Sequence, residues 1–565
     1  MDNVKLCLQG VELDRRTAAL LTGAACGAGA LVVAVLLKVQ THREAQEKIR
    51  RARGRRADSL QRAEQAVRRY KKSHPGVDSA FILAKSLSEL TNDLQDGSLS
   101  PEDVFYSYME KTLDVNKDVN CCTGILLESF EDLKTVASKK EGLLYGVPVS
   151  IKENYAYKNH DSSCGVVVNL ERPDQKDSVI VEVLKRQGAI PFVKTNLPQA
   201  LLNYDCGNPI YGQTLHPNNL RKTPGGSSGG EGALVRGGGS PTAGRLRNRV
   251  SYRCAVLGYL PHLLSSPGPM ARDVDAVALA MQALLCDHMF ALDPTVPPIP
   301  FDMQMYQSSE PLRIGYLEDD GYTQPSPSMA RGVREVKALL EQAGHTLVPY
   351  TPLKITYAVT ELLVKGLLAD GANRLVQKLE GGPLDPCLRE QVMPYYLPNW
   401  LKKTLSFLLK PVFPRGAAVL RSLCGVGSVE NLWKQHADVE DYIGETIAEW
   451  RRLNIDVLLC PVIGPAFNFF YCGKLSSALS YTALYNLLTF PAGVVPVSTV
   501  TAGDEEELGR YEGHHQDHWD KLLKQAVGGS EGLPVAVQCV ALPWQDELCL
   551  RFMKEVERLV QQSRK

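Results

Sequence analysis

Hydrophobic positions along the chain fall into three regimes. The first is one uncharged run, TAALLTGAACGAGALVVAVLL from Thr17 to Leu37. It has the length an α-helix needs to cross a hydrocarbon core of about 30 Å and predicts a transmembrane helix. A secretory signal peptide fits less well, because the run exceeds a typical signal core and Asp2, Glu12 and Asp14 dilute its positive flank. The second regime, 38–80, alternates apolar and basic positions in HREAQEKIRRARGRRADSLQRAEQAVRRYKK, with Arg50, Arg51, Arg53, Arg55, Arg56, Arg68, Arg69, Lys71 and Lys72. Such a basic flank places the body on the cytoplasmic side of a membrane. As an amphipathic helix it is either solvated or laid against anionic headgroups.

The third regime, from residue 81 onward, reads as α/β. In SLSPEDVFYSYMEKTLDV, Ser100 is an N-cap, Pro101 occupies the first helical position, and Glu102 and Asp103 fill the first turn. LLYGVPVSIKEN predicts a short buried strand. SVIVEVLKRQGAIPFVKTN predicts a helix ended by Gly188 and a strand through Phe192 and Val193. The expected organisation is a tail over 1–16, the membrane helix over 17–37, a basic helical linker over 38–80 and one large domain over 81–565.

One further apolar patch breaks the alternation. NWLKKTLSFLLKPVFPRGAAVLRSLC, Asn399 to Cys424, mixes Trp400, Leu401, Leu405, Phe407, Leu408 and Leu409 with Lys402, Lys403 and Lys410, and Pro411 and Pro414 interrupt it. It is too short and too broken to span a bilayer. It reads either as an interfacial helix pair entering one leaflet or as a buried helical hairpin.

Composition narrows the function. Sixty-three basic and 63 acidic residues give a net charge of +0, which disfavours a nucleic-acid partner. The 14 cysteines are scattered apart from Cys121 and Cys122, without zinc-type spacing, so reduced thiols and no metal are expected. No Asn-x-Ser/Thr sequon occurs, consistent with a body that does not face the secretory lumen.

The chemistry lies in two passages. Lys152 ends the apolar strand of VPVSIKEN, where desolvation would disfavour the ammonium and favour a base. GGSSGGEGAL offers Ser227 and Ser228 as proton-passing hydroxyls between glycines that permit close backbone approach. A nucleotide-binding reading of these glycines fails, because no Gly-Lys-Ser/Thr follows.

Several passages together carry a resemblance: GLLYGVPVSIKEN, TNLPQALLNYDCGNPIYGQT, PGGSSGGEGAL, PGPMARDV, LDPTVPPIPF, SYTALYNLLTFPAGVVPVS and GLPVAVQCVALPWQDELCLRFMKEVE. The chain resembles the amidase-signature family, in particular its fatty acid amide hydrolases. The resemblance implies an amidase-signature α/β fold with a mixed central sheet flanked by helices, no cofactor, and a homodimer on the bilayer of an endomembrane such as the endoplasmic reticulum or Golgi. It also implies a Ser-Ser-Lys triad acting on fatty acid amides. Lys152 matches the family's base, Ser227 its bridging serine and Leu201 a position lining the acyl-binding region. Residues 399–424 match a membrane-dipping cap.

The sequence departs from the family at the nucleophile. There the glycine run continues into GTDxGGSxRxP, whose last serine attacks and whose backbone amides hold the oxyanion. Here GGGSP is followed by TAGRLRNRVSYRC, and that block is absent. Pro241, Thr242, Arg245 and Leu246 match residues that lie downstream of the nucleophile in the family. Ser251 stands at the family's nucleophile spacing from Ser227. RLRNRVS, however, lacks the glycines of a tight nucleophile turn and brings three arginines, so Ser251 reads as a surface serine. The expected outcome is an amidase impaired in this form, or a silent lipid-amide binder.

Overall fold

The structure is a computed structural model that describes residues 15–246, 268–475 and 478–565, with backbone alone at 15–25 and 243–246. One continuous helix, α1 (Arg15–Ser73), covers both the expected membrane span and the basic stretch. Beyond residue 25 the apolar side chains of the span point into solvent, with Leu31 67% exposed. Among the described residues no helix is long and apolar enough to cross a membrane.

The basic half of α1 docks on the body. Ala45, Ile49, Ala52, Ala63 and Val67 form a buried stripe at helical spacing. The arginines beside it are engaged by the protein. Arg51 pairs with Glu171 at 2.5 Å and Arg55 with Asp161 at 2.9 Å. Arg53 donates to the Ile210 carbonyl at 2.7 Å and Arg56 to Asn120 Oδ1 at 2.5 Å. These four cations tie the basic helix to the body, while Arg50, Arg69 and Lys72 remain exposed.

Past this helix the local signals act as read. Ser100 Oγ accepts from the Asp103 amide at 3.0 Å and opens α2 (Pro101–Val119). The chain then forms β1 (Cys122–Ile125), β2 (Pro148–Lys152), α3 (Val179–Arg186) and β3 (Ile190–Thr195). Gly188, at φ 80°, turns α3 into β3, and a Cβ there would meet the Glu141 carbonyl at 2.5 Å. A ribbon of β4 (Gly207–Asn208) and β5 (Gly212–Gln213) precedes α4 (Gly229–Arg236), β6 (Thr242–Leu246) and β7 (Gly268–Ala271). The second half contributes β8 (Arg313–Tyr316), β9 (Thr346–Pro349), β10 (Val457–Pro461), β11 (Ala492–Thr499) and β12 (Pro534–Ala541).

Among the described residues the long strands make two five-stranded mixed sheets, ordered β1-β3-β2-β6-β7 and β11-β12-β10-β8-β9. In the first, β2 runs parallel to β3 and β6, with β1 and β7 antiparallel at the edges. The mixed sheet expected from the resemblance is found, among the described residues, as two mixed sheets. They share one apolar core, in which Val149 and Ile151 of β2 join Ile314 of β8 and Val535 and Val537 of β12.

Residues 399–424 form a helical hairpin, α5 (Asn399–Leu409) and α6 (Pro414–Ser422). It is not a buried pair: Trp400 is 68% exposed, Phe407 78% and Val412 81%. Lys402 departs from the expected cationic surface. It is buried, donates to the Leu423 carbonyl at 3.2 Å, and its pKa is pushed down by burial. The hairpin is tied to the body through Arg415, which reaches Asp517 and Asp520 at 2.6 Å beside α7 (His518–Val527), all three side chains being buried.

Candidate functional site

Every residue of β2 is buried, and Lys152 is its last. The turn that meets it is built from the Gly225–Ser228 run at the entrance to α4. Gly226 packs so closely that a Cβ there would fall 2.7 Å from Tyr204 Cα, and one at Gly230 would fall 2.4 Å from the Asn196 amide nitrogen. Glycine is required at both by approach rather than by flexibility. The Gly226–Ser227 peptide is cis. This turn carries Ser227 to the strand end, where Lys152 Nζ donates to Ser227 Oγ at 2.8 Å. Ser228, buried, stands at the N-cap of α4. A lysine amine held on a serine hydroxyl in a mostly dry setting can pass a proton to a third group and recover it.

The route from α4 to β6 is short and fully tied. Gly239 N donates to the Leu234 carbonyl at 2.9 Å, and Thr112 Oγ1 donates to the Gly239 carbonyl at 2.7 Å. Ser240 Oγ donates to the Thr242 carbonyl at 2.6 Å and accepts from the Ser150 amide at 3.3 Å. Thr242 then enters the sheet, and Ala243 and Gly244 lie opposite Ser150 and Ile151. No loop capable of presenting a nucleophile fits between Gly239 and Thr242. Because β6 is parallel to β2, it leaves the sheet at the end where Lys152 sits. Ser251, five positions past Leu246, lies outside the described residues.

Leu201 stands in a short turn, Gln199–Leu201, at φ 62°. It is partly buried against a cluster that includes Ala200, Leu375, Leu388 and Leu423, the last at the end of the apolar hairpin. One group was missed by the sequence reading. Glu231 in the first turn of α4 looks like an ordinary helix-start acid, yet it is fully buried and accepts from Ser150 Oγ at 2.5 Å. The glycines on both sides of it were the available signal, since they mark a helix pressed against its neighbours.

Comparison with known proteins places these features in context. The amidase family profile matches residues 103–244 and 246–550, breaking at Arg245 within β6. Fatty-acid amide hydrolase 1 of Sus scrofa is 46% identical over 567 residues, covering 96% of this chain and 97% of that protein. The vitamin D3 hydroxylase-associated protein of Gallus gallus is 50% identical over 436 residues, 73% of this chain and 94% of that protein. Among solved structures, a fatty acid amide hydrolase shares the fold with a TM-score of 0.73 at 21% identity, covering 91% of this chain and 95% of the other.

Proposed function

The chain belongs to the amidase family, and we propose that it is a membrane-bound serine amidase of the fatty acid amide hydrolase type, impaired in this form. Its substrates are fatty acid primary amides and N-acylethanolamines, cleaved to the free acid and the amine. Lys152 is the base and Ser227 the relay. In a form that carries a nucleophile loop, the amine would withdraw a proton from the attacking hydroxyl through Ser227 and return it by the same path to the leaving nitrogen. Leu201 lines the acyl side of the site.

The observation that carries the impairment is the Gly239–Thr242 connection. Its hydrogen bonds lead α4 directly into β6, leaving no length of chain between Gly239 and Thr242 for a nucleophile with flanking backbone donors. Loss of one such donor costs on the order of 10²-fold in rate. The same observation favours a second reading, a lipid-amide binder without turnover. Membrane attachment uses the apolar run of α1 within 17–37 and the hairpin 399–424, with the body over 81–565 facing the cytoplasm of an endomembrane. Assembly as a homodimer is carried over from the resemblance alone.

The deciding experiment treats purified full-length protein with a fluorophosphonate probe and follows oleamide hydrolysis. The expected result is no label, and turnover at least 100-fold below that of a variant with a GTDxGGS loop inserted between Gly239 and Thr242. Label at Ser251, with activity lost in Ser251→Ala, would overturn the impairment. Failure of both forms to bind oleamide would remove the substrate assignment.

A further inference from the structure

Two side chains of α4 and its entry turn reach two alternate residues of β2. Ser227 accepts from Lys152, and four positions later Glu231 accepts from Ser150 Oγ at 2.5 Å. Ser150 and Lys152 are two apart on a strand, so they share one face of the sheet. The carboxyl of Glu231 and the amine of Lys152 therefore line the same interface between helix and strand, where β2 and Gly229, Gly230 and Glu231 of α4 are buried.

A carboxylate with no exposed surface is costly unless a cation compensates it. Burial pushes the Glu231 carboxyl up to about 7, against hydrogen bonds from Ser150 and Thr195 and the attraction of Lys152. Among the described residues, two thiols feel the charges of this interface. Cys206, which feels the charge of Lys152, is pushed up to about 11 by burial, and Cys121, which feels that of Glu231, is also raised by burial. Both stay neutral near pH 7 and supply no charge. The adjacent charges on the two strands are engaged elsewhere: Glu153 accepts from Ser163 and Cys164, and Lys194 donates to the carbonyls of Tyr155 and Asp161. On β6 the side chain of Arg245 lies outside the described ones.

We propose that Glu231 is a positioning residue that sets the charge of Lys152: with its carboxyl protonated the amine form is available to accept a proton through Ser227, and with it ionised the ammonium is held. The Ser150 hydroxyl, by donating to Glu231, favours its ionised state. The inference rests on the reading of Lys152 as the proton acceptor.

The test reads the charge of Lys152 directly, without turnover, so a protein that hydrolyses nothing still reports on it. Full-length protein in detergent is pulsed with trace acetic anhydride from pH 6 to 11, and acetylation of the Lys152 peptide is quantified by mass spectrometry. In Glu231→Gln, near-isosteric and without the charge, the labelling midpoint should fall by about one pH unit, the scale of an opposite charge removed from a buried neighbour. In Ser150→Ala it should fall by less. A Glu231→Gln midpoint equal to that of the unmodified protein overturns the proposal and leaves Glu231 a packing residue. Should Glu231→Gln not fold, as judged by circular dichroism, Ser150→Ala decides: a downward shift supports the proposal and an unchanged midpoint overturns it.

Discussion

Lys152 Nζ and Ser227 Oγ stand 2.8 Å apart across 75 residues of chain. Neither residue is unusual where it sits in sequence. The contact exists because β2 ends at Lys152 and because Gly226 lets the turn before α4 press against Tyr204.

The two residues should act as one unit in a protein whose nucleophile loop has been restored. Lys152→Ala and Ser227→Ala should each lower kcat by 10²-fold or more, and the double variant should be hardly worse than the poorer single one. Steady-state oleamide hydrolysis at saturating substrate checks this. Multiplicative losses would mean that the residues work separately.

Arg415 should be the costliest single position in the hairpin. Removing it leaves Asp517 and Asp520 buried without their cation, and breaking such a buried pair costs about 3–5 kcal/mol. Urea unfolding of Arg415→Ala should show that loss. Burial pushes the Asp517 carboxyl up, but hydrogen bonds and charge from Arg415 outweigh this and hold it below its ordinary value. Its contribution is therefore complete above the unfolded carboxylate pKa, about 3.9, and fades as pH falls through the lower folded value. Acid titration of stability should consequently be steeper in the unmodified protein than in Arg415→Ala.

The apolar surfaces should bind lipid independently. Deleting residues 1–37 should leave partial flotation with liposomes through Trp400, Phe407 and Val412, and changing those three to serine in the truncated chain should abolish it. Complete loss of flotation on truncation alone would assign all binding to α1.

The docking of α1 should depend on its buried stripe more than on its ion pairs. Arg51→Ala and Arg55→Ala remove half-exposed pairs and should cost within about 1 kcal/mol each. Ile49→Asp places a charge in the buried stripe and should free the helix, read as faster tryptic cleavage at Lys71 and Lys72. Equal cleavage rates in all three variants would show that the stripe does not hold it.

Local signals determined a good deal of this protein. The Ser100-Pro101 helix start, the buried strand ending in Lys152 and the Gly188 turn all form as the residues dictate, because capping, burial of a short apolar run and positive φ act within a few positions of chain. The glycine-serine run and the missing GTDxGGS block were likewise visible in the sequence. Other features depend on partners distant in sequence. Composition gave α1 a basic face, but whether an arginine meets water or a carboxylate depends on Asp161 and Glu171, more than 100 positions away. Lys402 reads as a surface cation until Leu423 folds over it. Glu231 reads as a helix-start acid until α4 closes on β2 and removes its water, and that burial pushes an ordinary carboxyl up.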